Sequence, residues 1–286
     1  MAEHSHEFPI LKMSKVFGVS TSGYYRWLKA GPSQRAKQNQ LLGVAIARQW
    51  KASRGSYGAP RIHQALLSQG WTVSRPRVAR IMREAGIAST IRPKWVTTTD
   101  SDHPHSVAPN LLQRQFNPEQ LSQVWVSDIT YLPAEYGWLY LTTVMDLKDR
   151  KIIGWALSAT MDAQHTTIPA FKHAVAQRAP KPGMIFHSDR GSQYCAEEFR
   201  RLLGANEIEQ SMSRRGNCWD NAPAESFFKS LKYEAHMPAK FVSFSQAKRV
   251  LFDYIECWYN TRRLHSALDY QTPNQIEQQL TQTRAA

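Results

Sequence analysis

Apolar residues recur at helical spacing from Phe8 to Ala30 (Ile10, Leu11, Met13, Val16, Phe17, then Tyr24, Tyr25, Trp27, Leu28), interrupted by Gly18-Val19-Ser20. The pattern predicts two short helices about a turn, with Ser20, Thr21 or Ser22 as N-cap of the second. Gly31-Pro32-Ser33 ends that pair, and Gln34 to Lys51 predicts another helix with Leu41, Leu42, Val44, Ala45 and Ile46 on its apolar face. A second helix pair follows: Pro60 to Ser68, a turn at Gln69-Gly70-Trp71, Ser74 as N-cap, and Pro76 to Ala85 closed by Gly86. Residues 95–120 are polar, punctuated by proline and poor in apolar periodicity, which predicts a linker.

Beyond it the texture changes to strands: Val124 to Leu132, Leu139 to Leu147 and Lys151 to Ser158, the last two joined by Lys148-Asp149-Arg150. Helix and strand then alternate: a helix over Gln164 to Arg178, a strand over Met184 to Asp189, a helix over Ala196 to Ala205, a strand over Ile208 to Ser213 and a helix over Asn221 to His236. The order predicts an α/β fold, a mixed five-stranded sheet with flanking helices, preceded by an all-α helix-turn-helix region. One long helix over Ser245 to His265 and a short one from Thr272-Pro273 close the chain.

With 286 residues, 42% of them hydrophobic, the chain has material for about two domains, each with a core. Its charge is uneven. Residues 1–120 carry 17 basic and 6 acidic side chains, whereas 121–286 carry 19 and 17. A one-sided excess of lysine and arginine is the footprint of a polyanion-binding surface, and also fits a basic face kept for solubility. The last helix of the second pair bears Arg75, Arg77, Arg80 and Arg83, placed to reach phosphates and guanine edges if that helix enters a DNA major groove. Any helical hairpin shares the same spacing. Cys195, Cys218 and Cys257 show no metal-ligand spacing, and neither a leader nor a membrane-spanning run is visible, so reduced thiols in a cytoplasmic protein are expected.

Three acids stand apart. Asp128 sits within VWVSDITYL, flanked by apolar residues, where a charge is costly to bury without a cation. Asp189 ends the strand MIFHSD at the carboxyl edge of the sheet, where open α/β sheets place their ligands. Glu225 lies 35 residues further on, in the first turns of a helix opened by Pro223. Two strand-borne aspartates and a helix-borne glutamate can converge on a pair of Mg²⁺ ions suited to in-line phosphoryl displacement. Lys229 and Lys232 share the helix stripe of Glu225 and can hold DNA phosphates, or form an ordinary Glu–Lys pair. His187 and Gln193 bracket Asp189 closely enough to orient water or DNA, although a packed histidine fits equally. Asp146 and Asp149 read as turn formers, Asp220 as a helix cap, and Glu234 as pointing to the opposite side of its helix from Glu225.

The segments VWVSDITYL, FHSDRGSQY and SRRGNCWDNAPAESFFKSLKYE together resemble the acidic-triad core of retroviral-integrase-like transposases. More narrowly, the chain resembles the downstream-frame (OrfB) product of bacterial insertion sequences. YGAPRIHQAL with its arginine helix matches the helix-turn-helix segment before the core, and YNTRRLHSALDYQTPNQI matches the usual end. The resemblance implies a ribonuclease H-like fold with Asp128, Asp189 and Glu225 as catalytic ligands of a two-metal Mg²⁺ site, Mn²⁺ substituting. The implied chemistry is 3′-end cleavage of a mobile element, then strand transfer by the freed 3′-OH, without a covalent enzyme intermediate.

The expected organisation is a DNA-binding region at 1–94 with helix-turn-helix elements, a linker at 95–120, an integrase catalytic core at 121–240 and a C-terminal helical extension at 241–286. Expected partners are DNA (element ends and target), further copies of the chain on DNA, and an upstream-frame protein, since no sustained leucine-zipper heptad is present; no membrane partner is expected. A bacterial cytoplasmic, nucleoid-associated location follows from the same likeness. Two alternatives stay open: a nuclease of the same fold that cuts without joining, and a catalytically silent DNA-binding regulator.

Overall fold

The computed structural model describes residues 1–89, 107–215 and 217–285, in two compact units, Met1–Ser89 and Thr90–Ala286. The first part of the expected linker, 95–106, lies outside the described residues. No helix among the described residues is long and apolar enough to cross a membrane.

The first unit is all helical: α1 (Ile10–Phe17), α2 (Thr21–Lys29), α3 (Gln34–Ala52), α4 (Ala59–Leu67) and α5 (Arg75–Glu84). Gly18, at φ 63°, closes α1 in the left-handed conformation that glycine adopts without strain, and Ser20 caps α2 by accepting from the Gly23 amide at 3.0 Å. Ser74 occupies the N-cap of α5 but makes no side-chain cap bond, and Pro76 in the first turn removes one of the two amides a cap could take. Leu42 and Ile46 of α3, Ile62 and Leu66 of α4, and Val78, Ile81 and Met82 of α5 form the core. Leu41 and Val44 were expected on the buried face of α3 and are exposed. At 100° per residue they stand well round the helix from the Leu42–Ile46 stripe.

The second unit holds β1 (Val124–Ala134), β2 (Gly137–Asp146), β3 (Ile152–Ser158), α6 (Thr167–Gln177), β4 (Ile185–Ser188), α7 (Ser192–Cys195), α8 (Glu197–Ala205), β5 (Glu209–Met212), α9 (Ala222–Glu234), α10 (Phe244–Phe252) and α11 (Pro273–Ala285). The sheet order is β3-β2-β1-β4-β5, with β1–β2–β3 antiparallel and β4 and β5 parallel to β1. Side-chain alternation gives β1 two faces. Trp125 and Ile129 join the aromatic cluster of Phe171, Phe186, Tyr194 and Phe199 beneath α6–α8. Val126 and Asp128 therefore face the other way. Gly154 lets α6 lie directly on β3, since a Cβ there would meet the Ala170 carbonyl oxygen at 2.3 Å.

Three expectations change in this unit. Residues 107–120 have no regular element yet are bound to the sheet: the amides of Leu111 and Leu112 donate to Ser211 Oγ, the Met212 amide donates to the Pro109 carbonyl, and Leu112 is buried. Asp146 and Asp149 do form turns, accepting from the amides of Lys148 and Lys151, but both are fully buried and share Arg178 at 2.6 and 2.7 Å. The long helix expected over Ser245 to His265 stops as an α-helix at Phe252 and continues in wider i→i+5 winding over Asp253–Tyr259. That winding brings Asn260 alongside β3, where its side chain accepts from the Ile152 amide and donates to the Ile152 carbonyl, both at 3.0 Å.

Residues beyond 240 complete the unit. Phe241 bridges Ala134 of β1, and Arg263 binds Glu234, the last residue of α9, through Nε at 2.7 Å and Nη2 at 2.9 Å. Tyr254 and Trp258 donate to the same buried carboxylate. Removing one partner of such a pair leaves an uncompensated buried charge. Arg263→Ala is expected to cost about 3–5 kcal/mol in urea unfolding monitored by circular dichroism; a loss below about 1 kcal/mol would show that the pair does not anchor α9.

Candidate active site

The parallel β1–β4 pairing ends at Val126↔His187. Asp128 and Asp189 each stand two residues beyond that last pair, on neighbouring strands whose spacing is about 4.8 Å. Asp189 is therefore one residue past the end of β4, and Asp128, five residues into β1, is level with it where the two strands cease to pair. Glu225 comes from the first turn of α9, which packs on β1 and starts with proline in its first turn, where the missing N–H costs nothing.

The three acids share one electrostatic field. Burial first, then Asp189 and Glu225, push the Asp128 carboxyl well above the usual range; the Ile129 amide and Lys232 oppose the shift. Glu225 stands exposed at the helix start, where partial desolvation and then Asp189 raise it. Lys232 has its ammonium pKa lowered to about 8 by burial, with Asp128 pulling it back up. Among the described residues no three carboxylate, histidine or cysteine side chains stand close enough to hold one cation together. Two of the acids turn instead to the backbone: Asp128 Oδ1 accepts from the Ile129 amide at 2.8 Å, and Asp189 Oδ1 from the Gly191 amide at 3.0 Å.

The residues expected to assist divide. Lys232 lies in the field of Asp128, whereas Lys229, three positions earlier, is exposed. Gln193 reaches over Gly191: a Cβ there would meet Gln193 Oε1 at 3.0 Å and Asp189 Oδ1 at 3.1 Å. His187 is the packed histidine. Both ring nitrogens are taken, by Ser211 Oγ at 2.9 Å and Ser213 Oγ at 3.2 Å, and burial lowers its pKa to about 4, so it has no free nitrogen with which to orient water or DNA. Asp220 is not a helix cap. It is fully buried and accepts from Asn110, Arg114 and Arg214, and Arg214 with Arg114 holds its pKa far below the usual range. Sequence reading missed this cage because its donors lie 110 and 106 positions upstream as well as six away.

The arginines of α5 also divide. Arg77 is tied to Asn39 of α3 through Nε at 3.0 Å and Nη2 at 2.8 Å, and Arg80 pairs with Glu84 at 2.7 Å. Arg75 and Arg83 are exposed.

Residues 118–218 match a family model described as an integrase core domain, 206–273 match a second of the same description, and 37–95 match an HTH-like domain. An uncharacterized 31 kDa protein of insertion element IS600 from Shigella sonnei is 39% identical over 273 residues, spanning 96% of this chain and all of that protein. The transposase InsF for insertion sequence IS3A of Escherichia coli is 36% identical over 277 residues, 96% of each. The chain belongs to the integrase-type insertion-sequence transposases. Its mixed sheet and flanking helices are the ribonuclease H-like core of that family. The HTLV-2 integrase catalytic core solved in complex with magnesium is similar over 56% of this chain and 99% of its own, at 14% identity and a TM-score of 0.43. The two core matches begin before β1 and run to residue 273, taking in the docked segment from 118 and the Arg263 anchor.

A raised carboxyl pKa means that the fold binds the proton more tightly than the unfolded chain does. Its stabilising contribution is full below the ordinary carboxylate range and is lost as pH rises through the raised value. In EDTA at neutral pH, Asp128→Asn is therefore expected to raise the unfolding temperature by about 2–4 °C, and to flatten its fall between mildly acid and neutral pH. Identical melting curves for the two proteins at every pH would show that the Asp128 charge carries no such cost.

Proposed function

We propose that the chain is a DNA transposase that cleaves the 3′ ends of a mobile element and joins them to target DNA in a metal-dependent reaction. The observation that carries this reading is the alignment of Asp128 and Asp189 at the end of the parallel ladder, within the electrostatic reach of Glu225. The donor set suits Mg²⁺, with Mn²⁺ as substitute: three carboxylates, no sulfur or free imidazole, and negative charge that raises its own proton affinity. Asp128, Asp189 and Glu225 would hold a pair of such ions, which when bound supply charge stabilisation to the attacking and leaving oxygens.

The chain's own residues do the rest. In this reading β1 and the end of β4 carry two of the carboxylates and the first turn of α9 supplies the third. Lys232 brings a cation beside Asp128 that can meet a DNA phosphate, and Lys229 extends the same stripe outward. Arg75 and Arg83, exposed on α5, are the helix-turn-helix arginines assigned to DNA; Arg77 and Arg80 support the helix. DNA ends and target are the partners, with the reaction run by several copies of the chain on DNA, an upstream-frame protein as a further partner, and the bacterial cytoplasm as location.

The direct test is strand transfer of a labelled 3′-OH oligonucleotide, taken from the DNA flanking the gene, into a plasmid. Joined product is expected with Mg²⁺ and not with EDTA. Asp128→Asn and Glu225→Gln should each lower it by roughly 10³-fold, as expected when several kcal/mol of charge stabilisation is lost. Joining by a clean Glu225→Gln preparation removes Glu225 from the site, and cleavage without joining makes the chain a nuclease.

For the DNA-binding unit, Arg75→Gln and Arg83→Gln are each expected to reduce the slope of log affinity against log salt by about 0.9. Arg77→Gln should instead lower the unfolding temperature through loss of Asn39, with little change in that slope. Salt slopes measured by fluorescence anisotropy that are the same for wild type and for both Arg75→Gln and Arg83→Gln would take the exposed side of α5 off the DNA.

A further inference from the structure

Asn221 ends the short turn Cys218–Asn221 that leads into α9. It is almost fully buried, and its Nδ2 donates to the backbone oxygen of Ser127 at 3.1 Å. Ser127 immediately precedes Asp128 and lies one position past the last β1–β4 pair, where parallel pairing has stopped. Its hydroxyl is 2.8 Å from the hydroxyl of Tyr194, a fully buried residue of α7. Tyr194 follows Asp189 by five positions and feels the charge of both Asp189 and Asp128. One serine is thus bonded to each of the two segments that deliver the other two acids.

Asn221 does not hang loosely from its turn. Asp220, beside it, accepts from Asn110 Nδ2 at 3.0 Å, from Arg114 Nε at 2.8 Å, and from Arg214 through its amide at 3.0 Å, Nε at 2.9 Å and Nη2 at 2.9 Å. Arg114 Nη2 also reaches Asn217 Oδ1 at 2.8 Å. The turn is pinned before α9 begins. The orientation of the Asn221 amide follows from chemistry, since the reverse orientation would set two oxygens against each other. As oriented, its Oδ1 is buried and has no hydrogen-bond partner among the described residues. Buried polar atoms left in that state are uncommon, and a residue present only to fill space needs no such atom.

We propose that Asn221 and Tyr194 are positioning residues that act through Ser127: Asn221 sets the start of the Glu225 helix against Asp128, and Tyr194 sets the Asp189 segment against the same strand. The inference rests on the metal-dependent reading above. Residues that orient metal ligands govern how tightly the metal is held, and their loss typically costs 10–100-fold in affinity.

The test is Mn²⁺ binding to the full chain without DNA, followed by the electron paramagnetic resonance signal of free Mn²⁺. Asn221→Ala is expected to weaken binding roughly 10–100-fold, while its unfolding temperature in EDTA and its DNA affinity in EDTA stay close to wild type. Wild-type Mn²⁺ affinity in Asn221→Ala, or a lowered unfolding temperature with unchanged Mn²⁺ affinity, overturns the proposal. Should Asn221→Ala fail to fold, Tyr194→Phe removes a single hydroxyl from the same tie and is expected to weaken Mn²⁺ binding about tenfold; unchanged binding there is equally fatal. Asp128→Asn separates the two levels. If it too binds Mn²⁺ like wild type, the metal reading falls and the inference with it; if it alone loses Mn²⁺, the metal reading stands and the positioning role is refuted.

Discussion

Like charges repel, and the candidate site sets three carboxylates within one another's field. Burial and the neighbouring acids push Asp128 and Glu225 towards their protonated forms, so the arrangement opposes itself at every pH where it is ionised. It persists because the acids are borne by parts that cannot easily separate. One stands on β1 and one just past the end of the adjacent parallel β4, and the third on a helix whose far end is fastened by Glu234 to Arg263, Tyr254 and Trp258.

Elsewhere in the same unit the opposite solution appears. Asp146 and Asp149 share Arg178, Asp220 takes Arg114 and Arg214, and Glu234 takes Arg263. Each of these buried acids has an arginine whose planar fork satisfies several lone pairs at once. Asp128 instead meets Lys232, whose proton is loosened to a pKa of about 8. A compact point charge on a flexible stem can move aside in a way a bidentate guanidinium cannot. The difference separates acids held by a fixed arginine from one whose cationic neighbour is free to move.

The positions of the three acids in the fold were partly legible in the sequence. Asp128, Asp189 and Glu225 could be placed because their local contexts are informative: a carboxylate inside an apolar strand, one at a strand-end turn, and one at a proline-opened helix start. The sheet was readable for the same local reason, from period-two runs bounded by turns. What escaped depends on distant partners. Nothing near Asp220 announces Arg114, and the polar texture of 107–120 conceals Leu112 and the amides that bind Ser211. Helical periodicity runs through Phe252 without a break, and the wider winding that follows brings Asn260 to a partner, Ile152, 108 positions away. His187 could not be decided from sequence either, since its two serine partners lie 24 and 26 positions away.

The alternation of β1 lets one strand do two incompatible jobs. One face carries Trp125 into a cluster with Phe171, Phe186, Tyr194 and Phe199, whose rings meet largely edge to face. Buried aromatic rings each remove about 150–250 Å² from water, which at about 25 cal/mol per Å² is several kcal/mol apiece before chain entropy is counted. The other face carries Asp128, where charge accumulates at a cost. The stabilising and destabilising side chains are one residue out of phase on the same backbone, so the strand cannot retreat from the repulsion without lifting its aromatic partners from the core. A strand holding the acid without such an anchor would bend away from Asp189 and Glu225; here the period of two makes the geometry of the site a consequence of the packing behind it.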